Sequence, residues 1–121
     1  MADDFNNSIQ RNISMVRGDT LSFGFQITGL NGVEPDEVYF SCKNNPDDNA
    51  YIFSIDTSSG IDLRSHDTET DTLTYGVALA PSYTKSVDLG RYFYDLRIVI
   101  DDDVITLMRG AFVLEWRVKA L

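Results

Sequence analysis

Cysteine and histidine are almost absent from this sequence, which has one of each, Cys42 and His66, among 121 residues. A single cysteine excludes an internal disulfide, so the core alone has to stabilise the fold, as in proteins made in a reducing compartment. Nucleophilic catalysis needs a base beside the nucleophile, and zinc needs about four nitrogen or sulfur ligands. We therefore predict that the chain is not an enzyme, has neither catalytic residues nor a zinc centre, and exposes His66 in a polar loop.

Positive charge is also scarce, with 10 Lys and Arg against 19 Asp and Glu and a net charge of -9. Such a chain repels phosphate backbones and anionic lipid headgroups, which argues against nucleic acid and membrane surfaces and favours a basic or neutral protein partner. No apolar run approaches the ~20 residues that cross a bilayer, and the acidic, polar start is unlike a secretory signal. We expect synthesis in the cytoplasm without a signal peptide. A glycine-rich turn that could cradle a phosphate is missing, so no cofactor is expected.

Apolar residues are plentiful, at 43% hydrophobic and 12% aromatic, which is enough to build a core. They recur at every second position, as in Leu21, Phe23, Phe25 and Ile27, and this spacing is typical of half-buried strands. The other segments with strand character are Met15 to Val16, Val38 to Cys42, Tyr51 to Ile55, Ile61 to Leu63, Leu73 to Leu79, Tyr92 to Ile100 and a closing strand that reaches Val118. Helical spacing is limited to one turn near Ser82 to Val87.

Turn-forming residues separate these segments, so we predict an all-β, immunoglobulin-like antiparallel sandwich of about 7–9 strands, with a closed barrel as the second choice. Residues 1–11 lack periodicity and are predicted to form a flexible N-terminal arm. Residues 12–121 are predicted to form a single domain. The stretch from Ser65 to Asp71 is predicted to be a loop, and Gly110 is predicted to mark a bulge or a kink in the last strand.

Acidic residues cluster in two places that could attract calcium. Calcium requires about six to eight oxygens that converge on one point, and neither cluster has the spacing of an EF-hand loop. Solvated acidic loops are therefore favoured, while calcium binding is left open. The clusters are Asp101, Asp102 and Asp103 in one loop and Asp62, Asp67, Glu69 and Asp71 in the other.

Three further features have simple structural interpretations. Arg17-Gly18-Asp19 spells a cell-adhesion tripeptide, but it lies between two strands, where glycine favours a tight turn. Cys42 shares a strand face with Val38 and Phe40 and is predicted to be a small buried hydrophobe. Trp116 is predicted to belong to the core or a strand edge rather than to a ligand platform.

The segment Asp88-Leu89-Gly90-Arg91-Tyr92-Phe93-Tyr94 resembles the turn-to-strand corner of immunoglobulin-like sandwiches, where a tyrosine hydroxyl bonds to upstream backbone. The cysteine of that pattern is replaced by Tyr94. Further segments are similar to small immunoglobulin-like domains of phages and prophages of Gram-positive bacteria, in particular the N-terminal domain of baseplate upper proteins. They are Val16 to Thr20, Val38 to Lys43, Leu79 to Thr84, Gly90 to Ile98 and Ile105 to Leu114.

This resemblance implies a virion structural protein of the tail or baseplate that binds other phage structural proteins through its sheet edges or loops, with no catalytic residues. Homo-oligomers are also possible through edge pairing. A carbohydrate-binding or adhesion module is the alternative. It requires exposed aromatic residues such as Tyr39, Tyr83 or Trp116 to form a flat stacking platform.

Overall fold

The computed structural model describes residues 9–116, which form nine β-strands and one short 3-10 turn, Pro81–Tyr83. Turns that contain glycine, proline, asparagine or aspartate separate most of the strands, as expected from the conformational preferences of these residues. The strands are β1 (Ile9–Gln10), β2 (Ile13–Val16), β3 (Leu21–Thr28), β4 (Glu37–Lys43), β5 (Phe53–Ile55), β6 (Ile61–Asp67), β7 (Thr72–Leu79), β8 (Gly90–Ile100) and β9 (Asp103–Glu115).

The strands form two sheets that pack as a sandwich. The large sheet has the order β1-β9-β8-β4-β5, with β2 also paired to β9, and the small sheet has the order β3-β7-β6. All pairs are antiparallel except those of β1 and β2 with β9, which are parallel. The predicted all-β, immunoglobulin-like sandwich is confirmed, and the two parallel pairs add a feature that alternation alone does not reveal.

The core is built around Phe40, which is fully buried in β4. Its ring lies 5.4 Å from the rings of Phe23 and Phe53 and 5.7 Å from that of Tyr94, measured between centroids. Edge-to-face and tilted contacts of this kind stabilise aromatic pairs beyond the area they bury. Cys42 is 1% exposed on the same strand face, which confirms the prediction that it is a buried hydrophobe.

The corner that precedes β8 has the predicted tyrosine bond. The hydroxyl of Tyr92 donates a 2.6 Å hydrogen bond to the backbone carbonyl of Asp88. This bond fixes the entry of the chain into β8, because the two residues lie on opposite sides of the turn at Gly90. The turn between β2 and β3 is also as predicted, with Gly18 at φ +84°.

The stretch from Ser65 to Asp71 is only partly a loop, and the prediction for His66 is wrong. The strand β6 continues to Asp67, and His66 pairs with Leu73 of β7. The alternation of apolar residues fails after Leu63, where the β6–β7 register shifts. Beyond that bulge β6 is held by its backbone bonds to β7 rather than by a buried face, so its residues can be polar.

The last strand has a bulge, but not at Gly110. Gly110 pairs regularly with Tyr94, and the register shifts at Leu107 of β9, which lies between the pairs Leu96–Met108 and Arg97–Thr106. A Cβ atom at Gly110 would run into the backbone carbonyl of Arg11, so glycine is needed there for the close approach of the N-terminal segment. Trp116 was predicted to lie in the core or at a strand edge, and its 68% exposure excludes the core. The predicted end of this strand at Val118 lies outside the described residues.

The boundary between the predicted arm and the domain lies earlier than Asn12. Ile9 and Gln10 pair with Met108 and Arg109 of β9, and the Arg11 amide donates to the Arg109 carbonyl. Residues 9–11 therefore belong to the large sheet. Residues 1–8, the rest of the predicted flexible arm, lie outside the described residues.

Candidate interaction surface

The acidic clusters bind to the protein's own backbone or face solvent. The carboxylate of Asp71 accepts hydrogen bonds from the amides of Asn31 at 2.7 Å and Gly32 at 2.9 Å, and these bonds lower its pKa. Asp101 and Asp102 form a two-residue hairpin turn with φ of 50° and 69°, as in a type I′ turn. Across residues 9–116, no three His, Cys, Asp or Glu side chains are placed to hold a metal ion.

His66 lies beside the Asp71 loop with its Nε2 atom buried and without a hydrogen-bond partner among the described residues. It lines a shallow space with Asn31, Gly32 and Asp71. Thr68 is the remaining residue that lines this space.

The outer face of the large sheet is chemically distinct from the rest of the surface. Because side chains alternate along a strand, residues that flank the buried ones point outward. In register, Lys43 lies opposite Phe93, and Ser41 lies opposite Asp95. On the other side of β8, Asp95 lies opposite Arg109. The central strands therefore place these outward side chains in rows that cross the sheet.

These rows line an open depression of about 470 Å³, which we call the basic depression. Its walls come from the edge of β1, from β4, β8 and β9, and from the loop before β5. The residues that line it are Gln10, Asn12, Ser41, Lys43, Pro46, Tyr51, Arg91, Phe93, Tyr94, Asp95, Arg97, Thr106, Arg109, Gly110 and Ala111.

The basic depression carries positive charge on a strongly negative protein. Its lining includes Lys43, Arg91, Arg97 and Arg109, which are four of the chain's 10 basic residues, but only Asp95 of its 19 acidic residues. Clustered charges of one sign in a concave surface focus the local field. The depression can therefore attract an acidic group even though the whole chain has a net charge of -9.

Nine of the 19 acidic residues lie at one end of the sandwich. The β6–β7 and β8–β9 hairpins and the loop that leads into β4 meet there, since the Asp101 amide donates to the Asp36 carboxylate and the Asn31 amide to the Asp71 carboxylate. The acidic residues of these three segments are Glu34, Asp36, Glu37, Asp67, Glu69, Asp71, Asp101, Asp102 and Asp103. The surface of this protein is therefore polarised in charge.

Arg97 is held in place at the wall of the basic depression. Its guanidinium donates to the Asp95 carboxylate at 2.8 Å and to the Tyr51 hydroxyl at 3.2 Å, and it lies 5.1 Å from the centre of the Tyr39 ring. Burial disfavours its charge, but the bonds to Tyr51 and Asp95 outweigh burial and raise its pKa. A positioned guanidinium loses less conformational entropy when it binds a partner.

Lys43 occupies the neighbouring wall in a similar way. Its ammonium donates to the Asp48 carbonyl at 2.7 Å and lies 4.8 Å from the centre of the Tyr51 ring. Tyr51 thus contacts Arg97 through its hydroxyl and Lys43 through its ring face. Tyr51 and Phe93 remain 45% and 38% exposed, so the depression offers aromatic surface beside its positive charges.

The aromatic platform suggested by the sequence is not assembled from the residues named for it. Tyr39 lies on the outer face of the large sheet beneath Arg97, whereas Tyr83 packs against Phe53 at 6.2 Å. Trp116 follows the end of β9. Within residues 9–116, no ring contact joins any two of these three. Tyr51 and Phe93 occupy the site instead.

Sequence reasoning missed the basic depression, although one signal was present. Arg91, Phe93, Asp95 and Arg97 alternate with the buried residues of β8, so a polar face with two arginines and an aromatic residue could have been identified. The contribution of Lys43 and Arg109 depends on strand pairing. That pairing brings together residues that are far apart in sequence.

Comparison with protein-family models gave no match to this chain, and comparison with curated proteins gave none either. The fold and the surface of the chain together define its structural class. The chain is an immunoglobulin-like β-sandwich with a tyrosine corner, without the inter-sheet disulfide, and with a basic depression on the outer face of its large sheet. No helix within residues 9–116 could span a membrane.

Proposed function

We propose that this chain is a non-enzymatic structural module of a phage or prophage particle, in the tail or baseplate, and that its basic depression docks an acidic surface of another particle protein. The observation that carries the docking surface is the collection of Lys43, Arg91, Arg97 and Arg109 around exposed aromatic rings on a chain of net charge -9. Arginine and tyrosine are the residues that most often dominate protein–protein binding energy.

An acidic protein surface fits this site better than the other anionic ligands. The depression is open and spans three strands, so it suits the flat or convex surface of a folded partner. A nucleic acid would also meet the acidic end of the sandwich, where the phosphates would be repelled. The assignment to a phage particle is supported by the resemblance of five sequence segments to phage immunoglobulin-like domains.

Mass spectrometry of purified particles tests both parts of the proposal. A particle-producing strain would carry the wild-type gene, a Lys43→Glu/Arg91→Glu variant, or the matched control Arg64→Glu on the small sheet. Arg64 is exposed, and its ion pair among residues 9–116 is the one with Asp62 at 3.5 Å, so the control also removes positive charge at the surface. We expect the wild-type and control chains in particles at equal amounts, and the double variant reduced at least about tenfold.

Two results would contradict the proposal in different ways. Absence of the wild-type chain from particles and from assembly intermediates would remove the phage assignment. Normal incorporation of the double variant would remove the docking surface while leaving the assignment intact. Circular dichroism and thermal melts of the purified variants establish that each one is folded.

A carbohydrate-binding module is the second candidate, because Tyr51 and Phe93 expose aromatic surface in the depression. Sugar rings stack on such surfaces, and arginines can pair with acidic sugars. A glycan array with the wild-type chain and a Phe93→Ala variant distinguishes the two candidates. Glycan binding that is lost in the variant would replace protein docking as the function of this site.

A further inference from the structure

We propose that the open edge of β3 accepts an extended strand from a partner protein, with apolar side chains at alternate positions and a basic residue beside Thr28. This second surface lies on the small sheet and does not depend on the basic depression. β3 pairs with β7 over its whole length, from Leu21 opposite Leu79 to Thr28 opposite Thr72. No strand within residues 9–116 pairs with its other edge.

The other sheet edges carry features that discourage strand addition, and β3 does not. Native proteins protect edges with short strands, charged residues, proline or bulges. β5 has three residues, and β1 and β2, which form the other edge of the large sheet, have two and four. β6 has charged residues and a bulge after Leu63. β3 has eight residues without charge, proline or register shift.

At this edge the backbone of β3 presents a regular row of groups that have no strand partner among the described residues. The Ala78 amide of β7 donates to the Gly60 carbonyl on the side of β6. Because backbone groups alternate in direction along a strand, the neighbours of Ala78 bond to β3, and their partners are Leu21, Phe23, Phe25 and Ile27. The residues between them therefore direct their amides and carbonyls toward the open edge. They are Ser22, Gly24, Gln26 and Thr28.

The described residues cover the inner face of the small sheet only partly at β3. The inward residues of β7, such as Val77 and Leu79, are fully buried. Their partners Phe23 and Leu21 in β3 are only half-buried, although they pack against the core. An added strand with apolar residues at alternate positions would bury this remaining surface and complete the backbone ladder.

Charge near Thr28 selects the partner. Asp71 lies in the β6–β7 turn next to Thr72, the residue of β7 that pairs with Thr28, and its backbone carbonyl accepts a hydrogen bond from the Gly29 amide. A basic residue at the start of an antiparallel strand would lie near the Asp71 carboxylate. Pairing of β3 with a second copy is less favourable, because each copy carries a net charge of -9.

A synthetic peptide provides a defined probe of this edge. It consists of lysine followed by the β7 sequence from Thr72 to Leu79. In the structure each residue of this sequence already pairs with one residue of β3. We expect nuclear magnetic resonance of the full chain to show peptide-dependent shifts and slowed hydrogen exchange at the amides of Ser22, Gly24, Gln26 and Thr28. No change at these amides with peptide at about 1 mM would overturn the proposal.

Backbone methylation of the peptide distinguishes strand pairing from nonspecific binding. N-methylation at the positions copied from Thr74 and Gly76 removes amides that face β3, and we expect binding at least about tenfold weaker. N-methylation at the positions copied from Tyr75 and Val77 alters amides that face away, and we expect binding to be retained. Equal binding of the two methylated peptides would contradict pairing.

A matched pair of chain variants locates the pairing. Gln26→Lys, on the open edge, is expected to weaken peptide binding at least about tenfold, whereas Ser65→Lys, on the protected edge of β6, is expected to leave it unchanged. Equal loss in both variants would overturn the assignment to β3. Shifts at the same amides that grow with chain concentration in the absence of peptide would identify a second copy as the occupant instead.

Discussion

The hydroxyl of Tyr94 donates a 2.6 Å hydrogen bond to the backbone carbonyl of Arg11, which lies 83 residues earlier in the chain. The bond passes over Gly110, the residue of β9 that pairs with Tyr94. Burial raises the pKa of Tyr94 to about 12, so the hydroxyl stays protonated and able to donate at neutral pH. This bond ties the N-terminal segment to β8 across β9, beside the basic depression.

Replacing Gly110 by alanine should loosen that connection. The added methyl group would clash with the Arg11 carbonyl, and overpacking of this kind costs about 1–3 kcal/mol in the free energy of unfolding. Tyr94→Phe removes only the hydrogen bond and should cost about 1 kcal/mol. Urea unfolding of the single and double variants measures both effects. Because both substitutions act on Arg11, we expect the two single-variant losses in the free energy of unfolding to add up to more than the loss in the double variant. A Gly110→Ala variant as stable as the wild type would contradict this account.

The corner bond of Tyr92 can be tested in the same way. Tyr92→Phe leaves the buried ring in place and removes the donor to the Asp88 carbonyl, so the free energy of unfolding should fall by about 1 kcal/mol. Tyr83→Phe is the control, because the Tyr83 hydroxyl has no hydrogen bond to any of residues 9–116. An equal effect of the two substitutions would show that the corner bond contributes no stability.

Burial of Cys42 predicts a loss of stability at alkaline pH. Desolvation raises the pKa of this thiol to about 12, whereas the unfolded thiol ionises near pH 8.5, roughly the reference value for cysteine. Between these values the unfolded state binds fewer protons than the native state, so the free energy of unfolding falls as the pH rises. Urea unfolding from pH 7 to pH 10, roughly the range that spans the unfolded value, should show this fall. The fall should be smaller in Cys42→Ala, and identical pH profiles for the two chains would contradict the assignment.

The strands that form the core could be predicted from the sequence because one face of each is buried. Leu73, Tyr75, Val77 and Leu79 recur at every second position and are all buried in the structure. The polar end of β6 lacked this signal, and so His66 was placed in a loop. An edge strand of this kind is defined by backbone pairing, which side-chain alternation does not report.

The candidate sites could not be predicted to the same extent because they depend on register. Arg109 lies opposite Asp95, and so reaches the basic depression, because the β8–β9 register shifts by one residue between Leu96 and the hairpin. The need for glycine at position 110 depends on the parallel approach of the N-terminal segment. The openness of the β3 edge is likewise a property of strand order. None of these relationships has a local sequence pattern.

The most direct test of the proposed docking surface is site-specific cross-linking in assembled particles. A photoreactive phenylalanine analogue would replace Phe93 inside the basic depression or Arg64 on the small sheet as the control. We predict that the analogue at position 93 cross-links to an acidic segment of a different particle protein, and that position 64 gives no such product. Particles that contain the chain but yield cross-links only from position 64 would contradict the account.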